Sequence, residues 1–488
     1  MKQHPLLRRA AGIVAAALAA IATTGPLRAG APVVTVTESP SEPSSESWLS
    51  EWWNGKYMTG NWFGVRDTLA DYGFKFSGKY EGIFFGVVDS QRGSRGFYDQ
   101  ELAFAGEVDF AKLTHIEAFE GLSGFAGVRW RDSRANSNPN TFVQASSLFQ
   151  PSNNQSGTQW RLLTFGLEYE TPELLGIEEF LTLRGGWLQP QKEFIDQPLS
   201  KMFVNNAVES SKGVGGNIPF SSSFSTWGGT LKVKPIDWYY FKAGLFMAYP
   251  GATASSNHGL AFEGFAEDTS QNGLFFIGET GVTPKIGSSQ LPGKYAFGGY
   301  YWGQEKDSFN GTYQYGQYGF YWQFDQMLFR EPSLEEPAPM AKGPSDGKST
   351  ASGKSFKEPI PAAPSKPKLS KQGLYTFNLI HFAPKYNNLY PFYFQSGLVY
   401  EGLIPTRDKD KLMFAIAYGS YSYFNIENLQ QQGRVNQPNY TIVLEWDYRI
   451  QINEWAYFQP FVQYFIQPNG TGAIQNATIL GFTYAVAF

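Results

Sequence analysis

Alternation with a two-residue period, carried on segments about ten residues long, restricts this chain more than any other feature. Over Thr441–Gln451 one parity is Ile442, Leu444, Trp446, Tyr448 and Ile450; the other is Thr441, Val443, Glu445, Asp447, Arg449 and Gln451. Successive side chains of a strand point to opposite faces, so the two faces of this segment meet different surroundings. Phe458–Gln467 and Ile479–Phe488 repeat the pattern, the last closing on an aromatic residue.

A soluble sandwich and a transmembrane barrel both show this period, with opposite meanings for the apolar face. Composition favours the barrel. Phe 41, Tyr 28 and Trp 13 make the chain 17% aromatic, yet hydrophobic content is only 42% and mean hydropathy is −0.32. After the first thirty residues no stretch approaches the ~20 consecutive apolar residues of a membrane helix. The absence of cysteine excludes disulfides and thiolate metal sites, and a net charge of −4 points away from nucleic acid. No cofactor is expected.

Sixteen candidate strands follow, at about 74–87, 100–112, 123–133, 158–170, 180–190, 225–235, 238–250, 273–283, 294–304, 314–328, 372–383, 390–402, 411–424, 437–451, 455–467 and 475–488. An even number suits a closed antiparallel bacterial barrel. The predicted fold is therefore all-β, a sixteen-stranded antiparallel transmembrane β-barrel with a short N-terminal helical segment. Link lengths alternate: Ile236–Asp237, Pro405–Asp410 and Ile452–Glu454 are short, whereas 134–157, 191–224, 251–272 and 425–436 are long. Short periplasmic turns and long outer loops have this asymmetry.

Two parts fall outside the barrel. Residues 1–31 carry Lys2, Arg8 and Arg9 ahead of an apolar run from Ala10 to Ala22, the layout of a secretory signal peptide. Residues 32–47 read as a disordered lead-in, leaving 48–488 as the barrel. Within it, 331–371 holds eight prolines, seven lysines and five acids and cannot build a core. It is expected on the periplasmic side, as a tolerated insertion or as a contact to peptidoglycan.

NWFGVRDTLADYGFKFSGKY, residues 61–80, resembles the opening of the carbohydrate-selective porins of the OprB family: a Trp–x–Gly–x–Arg turn, a short helix ending at Gly73, then the first strand. GVRWRDS (127–133), DQMLFREP (325–332) and GLVYEGLIPTRDKD (397–410) are also similar to that family. Phe63 stands where a glycine is common, and the Pro/Lys insert departs from the pattern. The resemblance implies an outer-membrane barrel that passes carbohydrate by diffusion, with outer-membrane lipids around it.

A pore of this kind needs a narrowing whose walls replace the water on a solute with equivalent hydrogen bonds. Parity nominates Glu107, Asp109, Arg129, Arg131, Glu168, Arg184, Lys242, Glu445, Asp447 and Arg449 as inward candidates. Lys75, Lys79, Glu81, Glu170 and Lys232 share that side, and loops 134–157 and 191–224 are candidates to fold inward. Mixed charge argues against strong ion selectivity. A general or ion-selective porin is the nearest alternative reading. An enzyme on a barrel is the more distant one, because His115, His258 and His381 sit in no nucleophile motif.

Overall fold

The computed structural model describes residues 48–133, 138–152, 158–174, 176–218, 224–249, 255–262, 273–309, 311–332 and 369–488. The expected leader (1–31), the lead-in (32–47) and residues 333–368 of the Pro/Lys insert lie outside the described residues. Among those described, sixteen long strands follow one another. They are β1 Phe74–Asp89, β2 Arg95–Asp109, β3 Leu122–Ser133, β4 Gln159–Glu170, β5 Leu181–Leu188, β6 Thr226–Ile236, β7 Tyr239–Met247 and β8 Leu274–Val282. Then come β9 Leu291–Asp307, β10 Tyr313–Arg330, β11 Gly373–Phe382, β12 Phe392–Glu401, β13 Lys411–Ser420, β14 Tyr440–Asn453, β15 Ala456–Ile466 and β16 Ala477–Ala487. Each pairs antiparallel with its chain neighbours, and β1 also pairs with β16, so the sheet closes. Closure leaves no edge, which is what hydrocarbon demands of a sheet.

The outward parity is apolar and open. Phe84, Leu480 and Trp322 are 38%, 48% and 55% exposed, and such rings meet across strands, Phe84 with Phe482 at 5.4 Å and Phe414 with Trp446 at 5.2 Å. Each such side chain forgoes roughly 1.5–3 kcal/mol if it faces water; a hydrocarbon surround supplies that burial. No helix among the described residues is long and apolar enough to cross a membrane. The closed sheet, with its apolar outward parity, carries the span.

The inward parity differs from the wet lining that alternation suggests. Phe85, Phe275, Phe377, Leu379 and Phe465 point inward, are fully buried, and join one apolar cluster with Phe194, Phe203, Val204, Ala207 and Val208. The second group lies on the long link between β5 and β6, residues 189–225. Part of the barrel is thus filled by a packed core, because this link brings its own apolar side chains inside.

Some strand ends depart from the pattern. The second strand stops at Asp109, whose carboxylate accepts a hydrogen bond from Lys112 N (3.1 Å) and N-caps the helix Phe110–Thr114. The thirteenth ends at Ser420 instead of reaching 424: Ser422 caps a helix, Tyr423–Gln431, and that local bond overrides the continuing alternation. Near the start, Val65–Asp71 is helical and Gly73 has φ +92°, as expected. Phe63, where a glycine is common, adopts φ 58° and ψ 34°, a left-handed conformation that costs a side-chain-bearing residue about 1–2 kcal/mol.

At the short-turn end Asp410 ties the β12–β13 turn to β14. Burial would raise its carboxyl, but bonds from Arg407, from Tyr448 (2.9 Å) and from Gln451 N (2.9 Å) outweigh burial and hold it below 3.8. A depressed folded-state pKa contributes stability that is complete above the unfolded value and is lost as pH falls through the folded one. Asp410→Asn should therefore lower the melting temperature at pH 7, with the difference from wild type shrinking below about pH 4. Melting curves at pH 7, 4 and 3 check this; a difference constant across the three would rule out the carboxylate as its source.

Candidate functional site

Residues 189–218 run inside the barrel because the wall satisfies their backbone. Glu445 on β14 accepts from Val204 N at 2.6 Å and from Asn205 N at 2.8 Å. Arg449 Nη2 and Gln459 Nε2 both donate to Met202 O, at 3.0 and 2.9 Å. On β12, Tyr393 donates its hydroxyl to Ala207 O (2.9 Å) and Gln395 donates to Gln197 and Ser211 (3.2 Å each). Gln323 donates to Phe194 O at 2.9 Å, and Asn217 to Tyr390 O at 2.8 Å. Residues of the other inward candidate loop join in: Asn206 N donates to Gln150 O at 3.1 Å, and Gln463 Nε2 to Pro151 O at 3.0 Å. Amide and carboxylate side chains on β10 to β15 act as a rack for an irregular segment that would otherwise leave buried N–H groups unpaired.

Arginines gather on the facing wall. Arg129 and Arg131 on β3 are nearly buried and share Glu101 of β2, with Arg129 Nη1 at 3.8 Å and Arg131 in direct contact. Glu101 stands opposite Arg131 in the strand register, so the pairing follows from the ladder itself. Further along, Arg184 meets Glu168 at 3.0 Å and Glu193 at 3.4 Å, and its guanidinium lies 4.3 Å from the Phe125 ring centroid. Lys242 also reaches Glu193, at 3.6 Å.

Between this wall and the inward segment is an open space of about 240 Å³. Lys79, Glu81, Glu101, Arg131 and Arg449 border it from the strands; Lys201 and Glu209 border it from the segment. Glu81 is held by Lys79 (3.2 Å) and by the Tyr457 hydroxyl (2.8 Å). The Tyr457 ring already carries Arg449 at 4.1 Å, so that face is covered rather than offered for stacking. Lys192, on the helix Pro190–Phe194, has an exposed side chain, yet enclosure by the barrel and the positive charge of Arg129 push its ammonium down to about 8. Lys201 is lowered in the same way, by enclosure, against the pull of Glu209.

The ten candidates thus have several fates. Arg131 and Arg449 border the open space, and Arg129 sits behind Arg131 on the shared carboxylate. Glu168, Arg184 and Lys242 form a paired cluster around Glu193. Glu445 and Asp447 face inward as parity predicts, but they are 0% and 3% exposed and bond to the segment and to Gln459 (2.7 Å). Asp109 caps a turn helix, and Glu107 lies exposed one step before it. Glu101 is the principal omission. It shares the parity of Glu107 and Asp109, so its inward direction was available from sequence; its partners were not. Lys192, Lys201 and Glu209 lie in a segment without periodicity, where no sequence signal places a side chain.

Comparison with known proteins extends the geometry. A family model described as "Carbohydrate-selective porin, OprB family" matches residues 98–488, beginning beyond the 61–80 stretch. Porin B of Pseudomonas aeruginosa is 23% identical over 463 residues, which is 89% of this chain and 92% of that protein. A high-pH structure of Pseudomonas putida OprB covers 89% of this chain and 99% of its own, with TM-score 0.71 at 20% identity. A low-pH structure of the same protein has the same coverage, with TM-score 0.50 at 17% identity. At such identities the structural likeness speaks for the fold. The matched span runs from β2 to the end of β16, nearly the whole barrel, and the chain accordingly belongs to the carbohydrate-selective porins of the OprB family, proteins of the bacterial outer membrane.

Proposed function

We propose that sugars diffuse passively through the space between the inward segment and the arginine wall, exchanging hydration water for Arg131, Glu101, Glu81, Lys79 and Arg449. What supports this path is the 240 Å³ opening bordered by both signs of charge at hydrogen-bonding distance from one another. Carboxylates accept from sugar hydroxyls and guanidinium groups donate to them, so a neutral polyol finds partners of both kinds. Because the charges are mutually paired, none holds a solute strongly, which permits release. The chain acts as a channel and performs no covalent chemistry. His381 is consistent with this: it is buried between Tyr300 (3.1 Å) and Asn217 (3.5 Å) and is packed as a wall residue.

A general or ion-selective porin is the competing function, favoured to a degree by the number of cations on the space. Liposome swelling with glucose, sucrose and charged solutes of matched size separates the two. Glucose should enter fastest, with sucrose slower and the charged solutes not ahead of glucose. Exclusion of neutral sugars with free passage of ions would overturn the sugar path.

A further inference from the structure

The outer wall carries a groove of about 420 Å³ near the short-turn end. Its floor is Gly106 and Ala126 on β2 and β3, where small residues leave a channel in an otherwise ring-covered surface; Gly78 on β1 closes one side, beneath the Phe488 ring. Phe76 and Phe104 flank it, and both belong to the outward parity. Over Gly106 the floor is open: a Cβ added there would meet nothing closer than the Phe76 ring, at 3.6 Å.

One end of the groove is not apolar. Arg66, on the helix Val65–Asp71, lies there beside Trp62. Its guanidinium packs 3.7 Å from the Tyr57 ring centroid and 4.4 Å from that of Trp62, and Nη1 reaches Phe76 O at 3.5 Å. Its Nε is enclosed between these rings, which leaves the terminal nitrogens as the edge a ligand can meet. A planar charged fork held rigidly by two rings, set at the end of an apolar trough, matches a phosphodiester attached to an acyl chain.

We propose that this groove is a binding site for a glycerophospholipid of the periplasmic leaflet, with an acyl chain along Gly106 and Ala126 and the phosphate on Arg66. The assignment rests on the outer-membrane placement and on short turns facing the periplasm, the usual arrangement of such barrels. The phosphate contact carries the selectivity. Lipid tails are as apolar as the groove, so chain burial alone hardly distinguishes a bound lipid from bulk bilayer. Trp62 adds an amphipathic ring at the depth where headgroups begin.

The test is native mass spectrometry of the full chain released from detergent, titrated with phosphatidylglycerol or with diacylglycerol of the same chains. Wild type should retain phosphatidylglycerol and lose diacylglycerol. Arg66→Gln should weaken phosphatidylglycerol retention about tenfold, with Arg66→Lys in between. Gly106→Leu, which fills the trough without touching Arg66, should weaken it comparably. Arg92→Gln, at the other end of the barrel, should leave it unchanged. Equal retention by wild type and Arg66→Gln, or diacylglycerol held as well as phosphatidylglycerol, would overturn the site. So would a dimer mass that Gly106→Leu abolishes, since a second copy would then be the occupant. Glucose swelling of the same variants should stay at the wild-type rate, so failure of the lipid site and failure of the sugar path are separately visible.

Discussion

Glu445→Ala is expected to give a wider and noisier channel. The wild-type carboxylate holds two backbone N–H groups of the inward segment, at Val204 and Asn205, and lies beneath that segment with no exposed surface. Hydrogen bonds to a charged acceptor contribute roughly 1.5–3 kcal/mol each, and a donor left buried without a partner loses its desolvation cost as well. Relief from burying the carboxylate offsets part of this, so a net loss of about 2–4 kcal/mol in docking is expected. The segment would then sample undocked positions. Single-channel conductance should rise with added open-state noise, and sucrose should gain on glucose in swelling assays. Glu445→Gln, which retains one acceptor oxygen, should fall between. Unchanged conductance in the alanine variant would mean that Tyr393, Gln395 and Gln459 hold the segment unaided.

Glu101→Gln should shift the channel toward anions. One carboxylate serves both Arg129 and Arg131, so its neutralisation removes one negative charge from a wall that keeps both guanidinium groups. Across a partly hydrated wall this amounts to roughly 0.7 kcal/mol on a passing ion, about threefold in the chloride-to-potassium permeability ratio. Reversal potentials under a salt gradient measure it directly, and raised ionic strength should diminish it. The barrel should also lose stability, because two largely buried guanidinium groups each lose an ion-pair contact. Arg129→Gln, which leaves Arg131 on Glu101, should have the smaller effect on selectivity.

Direction was legible from sequence; depth and covering were not. In β14 the inward set Thr441, Val443, Glu445 and Asp447 and the outward Trp446 follow from period two alone, since pleating fixes the face of every residue in the strand. Whether an inward carboxylate meets solute depends on what lies over it. For Glu445 that is the 189–218 segment, whose aperiodic sequence encodes its position only through contacts made in the closed barrel; for Asp447 it is Gln459 of the neighbouring strand. Glu101 shows the complementary limit. Its face was readable, but its bond to Arg131 depends on the register of β2 against β3, which no single strand specifies. The helix Tyr423–Gln431 was hidden by rings at alternate positions, although Ser422 supplied a capping signal.

The stem of the β10–β11 hairpin bears on how this barrel can be altered. Arg330 pairs with Gly373, and Glu331 N donates to Gln372 O at 3.0 Å, so the two ends of the intervening chain leave the sheet side by side. Doubling a flexible connection adds just ~0.6 kcal/mol of closure entropy. The position is therefore a natural splice point: a reporter domain or affinity handle grafted there should leave strand order and register as they are, since both strands are already paired up to Arg330 and Gly373.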